Sequence, residues 1–186
     1  RYGIDAELTA TDRCAVIRCV FPSDVADPAI VFQGGEGEFS SDAEFVIQST
    51  ATGTRLLGVA RAHHNGVPGN FGSYLVAEID GAEVTSHGTF SPQSGHTEGS
   101  QISAPRAGVF LRLSHATGPV TVRIATSFIG HDQAILNLRR EVGEMSFDAV
   151  VESTAAHWGG WFDRIDPVGG SEDHHRRLYS AMYRVG

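Results

Sequence analysis

Short apolar runs separated by turn residues dominate the first ~130 positions. Runs rich in Val, Ile, Phe, Thr and Tyr alternate with Gly, Pro, Asp and Ser clusters, which predicts strands over 3–10, 13–21, 29–33, 44–49, 55–63, 73–79, 83–90, 108–113 and 120–128. Within 13–21, alternation puts Ala15, Ile17, Cys19 and Phe21 on one face. Within 120–128, Val120, Val122 and Ile124 alternate with Thr121, Arg123 and Ala125. Many short antiparallel strands of this kind predict a sandwich or barrel. Asp80-Gly81 predicts a tight hairpin, because the pair tolerates positive φ. The polar stretch Ser91–Pro105 reads as a long loop.

After Gly130 the period changes. Ala134, Ile135, Leu138 and Val142 share one face of a short helix. Ser146 can cap a second helix, whose apolar stripe is Phe147, Val151, Thr154, Trp158, Phe162 and Ile165. Pro167 and Gly169-Gly170 stop it. A third helix starts at Ser171, with Glu172 and Asp173 in its first turn and Leu178, Met182 and Val185 as its apolar face.

The chain has 186 residues, with 14 basic against 22 acidic side chains and a net charge of −8. A chain of this length makes one domain of ordinary size and can bury a core without staples. The acidic balance argues against nucleic acid or an anionic membrane as partner. No apolar run approaches the ~18 residues of a membrane span. The basic residues are all arginine, a compositional bias with no mechanism attached. The sequence opens at Arg1 without Met or signal peptide. It stops at Gly186, just past a helix with nothing to pack on. Both ends suggest a piece of a longer protein.

The local chemistry is sparse. Glu36 and Glu38 stand at i and i+2 in a Gly-rich loop, which fits a solvated turn better than a catalytic pair. His63 and His64 point to opposite faces of a strand, and His174 and His175 lie ~100° apart on a helix, so neither pair shares a metal. His87 and His96 could meet across a loop, although ordinary surface histidines are the simpler reading. Cys14 and Cys19 lie five apart on one strand, face opposite ways and cannot bridge each other. They read as small buried hydrophobes, with a bond to a segment outside the chain left open. No nucleotide-binding glycine motif or nucleophile elbow occurs. Trp158 falls on the apolar stripe and reads as core. Trp161 falls off it and is the better candidate for an interface or a sugar contact.

The last forty residues carry a resemblance. Trp158, Phe162 and Ile165, then Gly169-Gly170-Ser171, then Leu178-Tyr179-Ser180-Ala181-Met182-Tyr183 follow in order. Upstream stand Tyr2-Gly3-Ile4-Asp5-Ala6-Glu7-Leu8-Thr9-Ala10-Thr11 and Phe21-Pro22, with Ala134, Asn137-Leu138 and Ser146-Phe147 between. This pattern resembles glycoside hydrolase family 92, the α-mannosidases, over nearly the whole chain. Phe162 stands for the family's Leu and Ser171 for its Thr. Pro167 departs from the expected small or β-branched residue.

The resemblance implies a mainly β fold: an antiparallel, galactose-mutarotase-like β-sandwich over 1–130, followed by linker helices over 131–186 that lead to an (α/α)6 catalytic barrel. It implies calcium-dependent, inverting exo-hydrolysis of α-mannosides, α-1,2-type, by a secreted or periplasmic enzyme. The acid, the base and the calcium ligands are expected downstream of Gly186, so no catalytic or metal residue is assigned in this chain, which alone would be inactive. Its expected partners are its own C-terminal catalytic domain and a mannose-containing glycan. Trp161, Leu178 and Met182 are the candidates for the barrel interface. A competing reading is a stand-alone carbohydrate-binding sandwich using the rings of Phe71, Tyr74, Phe90 and Phe110. A purely structural module also stays open.

Overall fold

Both faces of the central strands are apolar, and that dictates three layers. The computed structural model describes residues 2–34, 40–51, 53–62, 66, 68, 71–114 and 118–185. Among them, strands β1 (Asp5–Ala10), β2 (Cys14–Val20), β3 (Ala29–Gln33), β4 (Ser40–Thr50), β5 (Gly53–Ala62), β6 (Phe71–Asp80), β7 (Val84–Ser91), β8 (Gly95–Glu98), β9 (Gln101–Pro105), β10 (Gly108–Leu113) and β11 (Val120–Ser127) precede helices α1 (His131–Glu141), α2 (Phe147–Phe162) and α3 (Glu172–Tyr183). The fold is mainly β with C-terminal helices, as expected.

Two antiparallel sheets form. One runs β1-β2-β11-β6-β5-β4-β9, and the other β3-β10-β7-β8. Their facing sides enclose one core of Phe45, Ile47, Leu56, Ala77, Ile79, Val109, Leu111, Val120 and Val122. The opposite side of the larger sheet holds a second core. There Cys14, Val16, Val76 and Ala125 meet Ala134, Leu138 and Val142 of the α1 region, and Phe147 and Val150 of α2. Strand residues of even and odd number therefore serve different layers: Val122 looks to the sheet partner, whereas Ala125 looks to the helices.

Four expectations need correction. The stretch 91–105 is not strandless; it contains β8 and β9. Both lie at sheet edges: β8 is exposed throughout and carries no apolar alternation, while in the five-residue β9 only Ile102 and Ala104 turn to the core, too short a run to stand out in a polar stretch. Asp80-Gly81 does not close a hairpin. It carries the chain from β6 in the larger sheet to β7 in the smaller one. Gly81 does take φ +85°, and a Cβ there would stand 2.4 Å from the Pro119 carbonyl oxygen. The apolar face of α2 also differs. Val150 is fully buried while Val151 is exposed, and the helix ends at Phe162, leaving Ile165 outside it and exposed. Val185 likewise lies beyond α3 and is exposed.

The helix starts follow the sequence. The Ser146 hydroxyl accepts from the Ala149 N–H at 3.2 Å. Ser171 accepts from the His174 N–H, while His174 Nδ1 accepts from the Ser171 N–H, a reciprocal cap.

Candidate functional site

The β1–β2 turn, the end of α1, the middle of α2 and the end of α3 enclose a cleft of about 400 Å³. Its lining includes Asp12, Glu141, Ser153, His157, Trp158 and Tyr183. Local chemistry fixes its walls. The Glu141 carboxylate accepts from the Thr11 hydroxyl at 2.6 Å, the Arg13 backbone N–H at 2.9 Å and the Arg13 guanidinium at 2.9 Å. The Thr154 hydroxyl donates to the Ala10 carbonyl at 2.9 Å and ties α2 to the same turn.

The opposite wall is aromatic. Trp158 stacks on Phe162 with centroids 5.8 Å apart and meets Tyr183 at 4.9 Å. Phe162 in turn meets Tyr179 edge-on. α2 and α3 are thus joined by rings at helical spacing (158 and 162; 179 and 183).

Electrostatics decides what Glu141 can do. Burial raises its pKa, but the hydrogen bonds from Thr11 and Arg13 and the guanidinium charge outweigh it, and the carboxyl sits below its ordinary value. An inverting glycosidase needs a carboxylic acid that gives up a proton. Glu141 is held ionised, with both oxygens engaged, and is not such an acid. Cys14, behind the same turn, has its thiol pushed up to about 11, by burial first and then by the Glu141 charge.

The three interface candidates lie together on the α2–α3 pair but differ in exposure. Trp161 Nε1 donates to the Met182 carbonyl oxygen at 3.1 Å, and the Arg164 guanidinium covers the Trp161 ring at 4.4 Å. Met182 is buried, so its side chain is already used within the chain. Trp161 and Leu178 are half-buried. The apolar side chains exposed nearby are Ile165, Val168, Tyr183 and Val185.

The other candidates separate. His96 pairs with Phe90 across β7 and β8, and His87 lies three residues from Phe90, so the two histidines project to opposite faces and do not meet. Cys14 and Cys19 are free and buried, in agreement with the reading as small hydrophobes. Glu36, Glu38, His63 and His64 lie outside the described residues. Among the described residues no three His, Cys, Asp or Glu side chains converge as a metal site. The four rings of the sugar-binding reading do not share one surface. Phe90 and Phe110 pack against His96 on the smaller sheet, while Tyr74 packs on His131 and Phe71 on Phe128.

Comparison with known proteins settles the family. The glycosyl hydrolase family 92 N-terminal domain matches residues 1–127, and that family's catalytic domain matches 133–186. The chain belongs to glycosyl hydrolase family 92. Family 92 relatives share its fold at length. The inverting mannosidase BT2199 of Bacteroides thetaiotaomicron is 27% identical, with a TM-score of 0.84 over 98% of this chain and 24% of that one. The family GH92 alpha-mannosidase BT3965 of the same organism is 16% identical, with a TM-score of 0.77 over 98% of this chain and 25% of that one, a likeness of fold alone. A curated relative from Arthroderma benhamiae, an uncharacterized secreted glycosidase, is 27% identical over 211 residues, covering 98% of this chain and 26% of the relative. The chain therefore spans about a quarter of the length of these relatives. No helix among the described residues is long and apolar enough to cross a membrane.

The sequence pointed to the α2–α3 pair but missed the cleft. Residues 10–12, 141, 153, 154, 157, 158 and 183 meet only through the tertiary fold, and no spacing signal joins them.

Proposed function

We propose that these residues are the non-catalytic part of an inverting, exo-acting α-mannosidase of the α-1,2 type, which packs against a catalytic barrel and helps to shape the sugar cleft. The observation that carries this is the succession of the two family 92 domains along one chain, with α2, α3 and nearly all of α1 inside the catalytic match. The 27% identity to an inverting mannosidase supports the reaction. The engagement of Glu141 supports placing the proton donor elsewhere. Calcium, on this reading, is held by residues of the barrel. Export to a periplasm or the medium agrees with the secreted relative. The half-buried Trp161 and Leu178, with the exposed Val185, are the surface that the barrel covers.

The test is mannose release from an α-1,2-mannobiose, with and without a calcium chelator. It compares this chain with a polypeptide that continues it to the length of its relatives. Chelator-sensitive release by the longer polypeptide alone is expected. Release by the 186 residues themselves would overturn the non-catalytic assignment.

A further inference from the structure

We propose that the cleft between the β1–β2 turn and the α2–α3 pair is a binding site for a neutral hexopyranoside. This rests on the glycosidase reading for the sugar class, but on the cleft's own chemistry for the site. At about 400 Å³ it falls at the small end of ligand pockets, the size of a mono- or disaccharide rather than a long glycan.

Its lining is two-sided in the way a sugar is. Trp158 and Tyr183 present aromatic carbon, against which the C–H face of a pyranose packs. Asp12, Ser153 and His157 present polar atoms. These three are exposed, and the structure gives none of them a hydrogen-bond partner; Asp12 has only Arg13 at 3.9 Å. A carboxylate accepts two hydrogen bonds side by side, the arrangement that a vicinal diol offers. Ser153 and His157 can each donate or accept, which suits hydroxyl groups.

The remaining charges in the lining are spent. Glu141 is neutralised by Arg13, and that guanidinium is thereby held on the carboxylate. The lining holds no Lys or Arg to draw an anion, and too many polar atoms for a purely apolar guest. The turn is held to α1 and α2 by Glu141 and Thr154, so the walls are set before any ligand arrives.

The two tryptophans supply a readout. The Trp161 indole N–H is bonded to Met182, whereas Trp158 lines the cleft. The experiment titrates methyl α-mannopyranoside, then α-1,2-mannobiose, into the chain and follows both indole N–H resonances. The expected result is a saturable shift of Trp158 in roughly the millimolar range, with Trp161 still. Asp12→Asn and His157→Ala, both at exposed positions, should each weaken it about tenfold, as loss of one such hydrogen bond does.

A flat titration overturns the proposal. So does a shift that both variants leave unchanged, which would place the sugar elsewhere. The same titration of a catalytically silent polypeptide of full family length decides a third case. Binding by the short chain but not by the long one means that the cleft seats the rest of the protein, and overturns it as well. Mannose release by the longer polypeptide is scored separately, so the cleft can fail while the mannosidase reading stands, and the reverse.

Discussion

Thr11 and Glu141 stand 130 residues apart in sequence, and the Thr11 hydroxyl donates to the Glu141 carboxylate at 2.6 Å. With the two bonds from Arg13, this one side chain fixes the β1–β2 turn against the end of α1. Removing it leaves the Thr11 hydroxyl and the Arg13 amide without their acceptor. Glu141→Ala should destabilise the chain by about 2 kcal/mol, the scale of hydrogen bonds to a charged group. A urea melt against the parent checks this; a change below about 0.5 kcal/mol would mean that water replaces the carboxylate freely.

The same carboxylate gives a pH dependence with a definite sign. Its folded pKa is depressed, so its contribution is fully present above the ordinary glutamate value of about 4.3 and is lost as pH falls through the folded value. The gap in urea midpoint between the parent and Glu141→Gln should be constant from pH 8 to about pH 5 and shrink below about pH 4.3. Using the difference cancels the other carboxylates, including Glu7, which its bond to Arg18 also holds low. A gap that widens in acid would contradict the depressed pKa.

Two phenylalanines of the smaller sheet lie over glycines of the neighbouring strand. A Cβ on Gly108 would stand 2.2 Å from the Phe90 ring, and one on Gly88 would stand 2.5 Å from the Phe110 ring. Both Gly→Ala changes should cost about 1–3 kcal/mol by overpacking. They should differ in rescue. Gly108 is crowded by the Phe90 ring alone among its nearest atoms, so Phe90→Leu should recover part of the loss. Gly88 also faces the Thr97 carbonyl oxygen at 2.7 Å, so Phe110→Leu should recover little. Equal rescue in the two cycles would show that the backbone contact is unimportant.

Cys14 and Cys19 report on the two layers separately. The neighbours of Cys14 are in the helix-covered core, and Cys19 projects the other way along β2. Burial raises both thiol pKa values, Cys14 to about 11. Neither should react with a thiol reagent at pH 8 on the minutes scale in the folded chain, and both should react in denaturant. Rapid labelling of Cys14 alone would mean that α1 lifts from the sheet. Rapid labelling of Cys19 alone would mean that the sandwich side is open.

Legibility followed burial. The central strands show themselves because their neighbours demand apolar residues at every second position, as in Val120, Val122 and Ile124. β8 hides because all four of its residues are exposed, so nothing selects an alternating pattern there. On α2, the choice between Val150 and Val151 depends on which sheet strand the helix crosses, and periodicity alone does not supply that. Asp80-Gly81 shows the same limit: the local φ was readable, but whether the chain returns beside β6 or crosses to the other sheet is decided by β11 taking the place beside β6. The family was legible from short motifs in order. The cleft was not, since its lining is gathered from four separate elements.

The last prediction concerns how far α3 depends on the rest. The bonds that α3 makes to α2 are the ring contacts of Trp158 with Tyr183 and Phe162 with Tyr179, and the Trp161 indole bond to Met182. The sandwich core contains no residue of α3. Trp161→Phe keeps an aromatic ring but removes the indole donor, at a cost of about 1 kcal/mol. That loss should fall on the local opening of α3 and leave global unfolding nearly untouched. Amide exchange should then quicken roughly fivefold in α3, while β2 and β11 keep their protection. Ser171→Ala, which removes the start of α3 without touching Trp161, should give the same regional pattern. If either change speeds exchange in β2 and β11 to the same degree as in α3, the helices and the sandwich open as one unit. The docking surface of the proposed function would then be a rigid body rather than a helix with its own opening equilibrium.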